Sequence, residues 1–141
     1  IATVLVAILI NISKIRILGI EFATFLGVIT AVAYDPIAGA MLGAVVIAIH
    51  MIIANYIGPY TIWVVPAYCV GSYVAGLLGA SSIIMAWLSA TMLINALCLV
   101  FTMIFYRQHA GAYAPYLVTN IIINFFLFSA FGESAVALLS A

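Results

Sequence analysis

Asn120 and Asn124 stand four residues apart in an otherwise apolar run, and Tyr113 and Tyr116 extend the same spacing upstream. Residues three and four apart share one face of a helix. A carboxamide both donates and accepts hydrogen bonds, so a pair of them suits the edge of a heterocycle. In hydrocarbon each amide must also find partners, because an unsatisfied one costs several kcal/mol. Two readings of the pair stand side by side. One is hydrogen bonding between helices, worth about 0.6–2 kcal/mol per contact. The other is a ligand-facing role beside the polar loop 106–115, which carries Arg107, Gln108 and His109. Thr91, Asn95, Cys98 and Thr102 form a second such stripe, in which Asn95 reads as a bond between helices.

His50 lies seven residues beyond Gly43 on the same helical face. It either hydrogen-bonds a neighbouring helix or joins a binding site. No histidine or cysteine follows at three or four residues, so no metal is expected there. Glu21 stands at a helix entrance, where a carboxylate favours the helix dipole. Tyr60 and Trp63 either belong to an interfacial belt or stack on a flat ligand. The candidate ligand contacts are therefore Arg16, Glu21, His50, Asn55, Tyr60, Trp63, Arg107, Tyr116, Asn120 and Asn124. Cys69 and Cys98 sit in apolar runs and read as small core hydrophobes, not as a disulfide or metal pair. There is no nucleophile–base pair, phosphate loop or pair of carboxylates, so neither enzymatic activity nor a cofactor is expected. Nothing points to nucleic acid.

Composition sets the scaffold for these groups. Of 141 residues, 70% are hydrophobic and 4% charged, too few polar groups to cover the surface of a water-soluble domain. The chain reads as an all-α integral membrane protein, one transmembrane domain over residues 1–141. At about 20 apolar residues per span, the length allows six helices with short loops. Residues 1–12 read as the end of a truncated first helix. The remaining spans are 22–33, 37–56, 62–78, 83–105 and 116–131. The start at Ile1, without a methionine, leads us to expect native residues upstream. No charged head and cleavage site mark a signal peptide. β-barrel alternation is absent.

The third span is the expected centre of the bundle. Asp35-Pro36 is a helix start, with a capping carboxylate and a proline suited to the first helical position. Gly39 and Gly43 then share a face, as do Gly71, Ala75 and Gly79 on the fourth span, and small residues allow close helix approach in lipid. Loops one, three and five share one membrane face, which carries Lys14, Arg16, Glu21, Asn55, Tyr56, Tyr60, Arg107 and His109. The opposite face has little beyond Asp35, Glu133 and a few serines. A pocket is expected on the odd-loop face, lined by the first and third loops and the outer halves of helices three to six.

Several stretches resemble the substrate-binding S-components of energy-coupling factor (ECF) vitamin transporters. They are Gly19-Ile20-Glu21-Phe22, Asp35-Pro36-Ile37-Ala38-Gly39-Ala40-Met41-Leu42-Gly43, the aromatic, glycine-bearing run 68–79, and Ala114-Pro115-Tyr116-Leu117-Val118-Thr119-Asn120. Loose small-residue patterns carry the resemblance over most of the chain. It implies six helices in the cell membrane and a vitamin or metal-ion pocket near the outer face. It also implies a complex with a transmembrane coupling protein and two ATPases. Of the alanine-rich coupling motif expected on the first helix, only Ala2 and Ala7 stand here. The resemblance places the odd-loop face outside, whereas Lys14, Arg16 and Arg107 would place it in the cytoplasm by the positive-inside rule. The external placement is the expectation adopted.

The leading reading is a small-molecule-binding membrane subunit of an uptake transporter. The alternative is a structural subunit of a larger membrane complex. A scaffold spreads polar groups singly across its interfaces, while a binding subunit gathers them around one cavity. A proton or ion path through His50 and Asn95 lacks the carboxylate chain such relays use.

Overall fold

The computed structural model describes residues 2–13, 19–79 and 82–141. Lys14 and Arg16 of the first loop, and Ala80 and Ser81 of the fourth, lie outside the described residues. The chain forms an all-helical membrane bundle: α1 (Ala2–Ser13), α2 (Ala23–Ala33), α3 (Pro36–Ile53), α4 (Thr61–Leu78), α5 (Ile83–Phe105) and α6 (Ala110–Leu139). Helices α3 to α6 are long and apolar enough to cross a membrane, whereas α1 and α2 are shorter apolar helices. With 11 residues, α2 is about 16 Å long, roughly half the ~30 Å hydrocarbon thickness. Helix α6 begins six residues before the expected start at 116 and continues past 131. The alanines and glycines there carry no side-chain signal that distinguishes loop from helix.

Local chemistry explains the ends of α3. The Asp35 carboxylate accepts from the backbone N–H groups of Ile37 (2.8 Å) and Ala38 (3.2 Å), and Pro36 takes the first helical position. At the other end Asn55 adopts a left-handed φ of 56°, a conformation asparagine tolerates better than most residues. The Tyr56 N–H then closes back on the Met51 carbonyl at 2.8 Å. This turn aims Asn55 and Tyr56 across the end of the bundle.

The centre of the bundle is α2, not α3. Helix α2 packs against α3, α4, α5 and α6, while α3 packs against α1, α2 and α4. Ile37, Met41, Val45, Ile49 and Ile52 form an exposed apolar stripe along α3, the surface that lipid covers. Helix α2 suits the middle because it is narrow: Ala23, Gly27 and Ala31 repeat at four residues and all are buried.

Three helices meet where Gly27, Gly43 and Ser72 come together. A Cβ built on Gly27 would lie 3.1 Å from the Gly43 Cα and collide with the Ser72 side chain. One on Gly43 would lie 2.6 Å from Ser72 Oγ. Gly39 backs onto Ala31 in the same way. On α4, Gly71 receives Ile94 of α5, Gly79 receives Val32 of α2, and Ala75 is fully buried. Gly43→Leu should therefore destabilise the fold by about 1–3 kcal/mol through overpacking. Gly111→Ala, where a Cβ meets nothing within 4 Å, should leave the unfolding temperature in detergent unchanged or raised. Equal melting of Gly43→Leu and the parent would dismiss the three-helix junction.

Candidate ligand cavity and the polar network beneath it

The chain enters α2 through an irregular segment buried inside the bundle. Gly19 packs against the Tyr116 carbonyl and Asn120 of α6, so close that a side chain would not fit. Its N–H donates to Thr119 Oγ1 at 2.9 Å, and its carbonyl accepts from Asn120 Nδ2 at 3.1 Å. Non-helical backbone at membrane depth needs such internal partners.

Glu21 follows and is 1% exposed. Its Oε2 accepts from the Thr24 N–H at 2.9 Å. Its Oε1 accepts from Thr24 Oγ1 (2.7 Å), Asn120 Nδ2 (3.0 Å) and, more loosely, Asn124 Nδ2 (3.5 Å). The carboxylate thus caps the first turn of α2 and ties it to α6. Asn120 Oδ1 accepts from Asn95 Nδ2 of α5 at 3.0 Å, and Tyr113 Oη donates to Asn95 Oδ1 at 3.3 Å. Asn95 Nδ2 also donates to the Thr91 carbonyl, and Asn124 Nδ2 to that of Asn120. Three helices are joined by one polar network.

Above it lies a cavity of about 430 Å³, at the end of the bundle where the third and fifth loops meet. Met51, Asn55, Tyr56, Ile57 and Tyr60 contribute from the end of α3 and the third loop. Val64 and Tyr68 line it from α4, and Cys98 and Thr102 from α5. Tyr106, His109, Tyr113 and Tyr116 close it from the fifth loop and α6. The Tyr68 and Tyr116 hydroxyls lie 3.4 Å apart, and the Tyr113 and Tyr116 rings stack with centroids 5.3 Å apart.

The sequence candidates divide between these two layers. Asn55, Tyr60 and Tyr116 line the cavity, while Glu21, Asn120 and Asn124 form the network below it. His50 is buried, 4% exposed, with Nδ1 lacking a hydrogen-bond partner. Trp63 stacks on Phe105 at 5.8 Å, and Arg107 is exposed in a 3₁₀ turn (Arg107–His109); neither lines the cavity. Arg16 lies outside the described residues. Tyr68, Cys98, Thr102, Tyr106 and Tyr113 line the cavity without having been candidates. The four-residue phase of Cys98 and Thr102 on the α5 stripe was a usable signal, but Tyr68, in an apolar run of α4, offered none. Comparison with protein-family models, curated proteins and solved structures found no match.

Asn120 bonds three partners at once, Gly19 and Glu21 at the entry to α2 and Asn95 of α5, so its role in folding is open to direct test. Asn120→Leu leaves the Gly19 carbonyl, Glu21 Oε1 and Asn95 Nδ2 each short of one bond. A buried group left unsatisfied costs about 1–3 kcal/mol. Thermal unfolding in detergent should show a loss in that range or above. A variant as stable as the parent would reduce the network to a bystander.

Proposed function

We propose that the protein is a small-molecule-binding subunit of an uptake transporter in the cell membrane, of the S-component kind that its sequence resembles. The observation that carries this reading is the tyrosine-rich cavity open at one end of the bundle. Its volume falls within the usual range for ligand sites, roughly 300–1,000 Å³. Its wall is mostly apolar and aromatic, with a few hydroxyl and amide groups placed to orient a ligand, the usual character of such a site. The ligand class that fits is a compact organic molecule with a flat ring. Tyrosine faces would cover that ring, and Thr102, Asn55 and the tyrosine hydroxyls would reach its polar edge.

The glycines bear on the alternative of a scaffold subunit. Gly39, Gly43, Gly71 and Gly79 are all used in contacts within this chain, which leaves no glycine ridge of that set for a partner helix. Ala7 likewise turns inward, packed with Ile10 and Ala54. In the proposed assembly a transmembrane coupling protein and two ATPases drive release of the ligand, and the cavity opens to the outside.

Native mass spectrometry of the gently solubilised protein should show a bound molecule. Val64→Trp, which fills the cavity from its wall, should abolish that adduct while the protein remains folded. Retention of the adduct in folded Val64→Trp would place the ligand elsewhere. For orientation, His109→Cys in a background lacking Cys69 and Cys98 should react with an impermeant thiol reagent on intact cells. Labelling only after permeabilisation would turn the cavity to the cytoplasm.

A further inference from the structure

Glu21 raises a question that helix capping does not answer. The groups that donate to it are a backbone N–H, a hydroxyl and two carboxamides, all neutral. Both of its oxygens act as acceptors, with three donors converging on Oε1, and among the described residues no lysine or arginine bonds to it. The buried His50 leaves its Nδ1 unpartnered and does not bond to Glu21 through it, and a buried ion without a bonded counter-charge is costly, by several kcal/mol even after relaxation. The N-terminus of α2 supplies only a partial positive charge, about half a unit.

The cavity above it has the complementary character. Among the described residues no lysine, arginine, aspartate or glutamate lines it, while six tyrosines do. Tyrosine ring faces are electronegative and attract cations held within about 6 Å. Tyr113 joins the Glu21 network through Asn95 and Asn120, and Tyr116, one helical turn before Asn120, holds its hydroxyl 3.4 Å from that of Tyr68. In a low-dielectric interior the charge of Glu21 acts over distances that water would screen. An inorganic metal ion fits poorly, since among the described residues no group of three histidine, cysteine or acidic side chains gathers to hold one.

We infer that the cavity selects an organic cation, an onium or protonated heterocycle whose charge rests against the tyrosine rings above Glu21. The inference rests on the binding reading above and adds the sign of the ligand's charge. Glu21 then acts as a positioning residue that sets the potential of the site without touching the ligand.

The test uses three probes of one shape on the protein in nanodiscs, by equilibrium dialysis at mildly alkaline pH. They are 1-methylquinolinium, neutral 2-methylquinoline and anionic quinoline-2-carboxylate. The cation should bind roughly tenfold tighter than the neutral probe, and the carboxylate weakest. E21Q should erase the cation's advantage while leaving neutral binding intact, a pattern that simple loss of structure does not produce. If E21Q fails to fold, Tyr106→Leu on the cavity wall should weaken the cation more than the neutral probe. Equal affinities, or preference for the carboxylate, would overturn the inference and leave the ligand cavity standing. A neutral or anionic molecule co-purifying in the cavity would overturn it too. Binding of no probe, with no co-purifying molecule, would bring down the cavity reading as well.

Discussion

Hydrocarbon cannot satisfy a backbone polar group, and residues 19–22 of this chain are non-helical inside the bundle. The solution is to meet that break with side chains from α6. Thr119 and Asn120 take up the polar groups of Gly19, and Asn120 and Asn124 reach the carboxylate of Glu21. Because those groups are satisfied, α2 can be short and start within the bundle. Because α2 is short and narrow, it can take the central place among α3, α4, α5 and α6.

A gradient of side-chain size then shapes the interior. Towards the Asp35 end, Gly27, Gly39 and Gly43 let the helices approach to near backbone contact, and Gly79 makes room for the Val32 side chain. Towards the other end the same helices and their loops carry Tyr56, Tyr60, Tyr68, Tyr113 and Tyr116. Rings of that size hold the helices apart. The cavity occupies the space they keep open. The polar network sits at the transition, tying α2, α5 and α6 together where close packing gives way to open volume. Binding, on this view, occurs at the looser end of a bundle clamped at the other.

Much of the scaffold was legible in the sequence. The Asp35-Pro36 start, the glycine faces and the four long apolar spans are local features, set by capping geometry, side-chain volume and hydropathy. The concentration of polar groups at one end was legible too, because it follows from counting loops. The split of the candidate site into two layers was not. Asn120 and Tyr116 lie on one stripe of one helix, yet Tyr116 lines the cavity and Asn120 lies below it, bonded to Gly19 and Glu21 roughly a hundred residues away.

Glu21 shows the division most plainly. In the sequence it is one of the chain's three acidic residues, placed at a helix entrance near a charged loop, and reads as a group at the polar mouth. In the fold it is 1% exposed and holds donors from α2 and α6. Sequence alone determined that this chain would be a helical membrane bundle and that its small residues would set the packing, because composition and short-range periodicity are properties of the chain itself. Which helix is central, and which polar residues bond to each other instead of facing the cavity, only the tertiary structure decided. Each of those outcomes depends on a partner far away in sequence, and that partner's position exists only once the helices have packed.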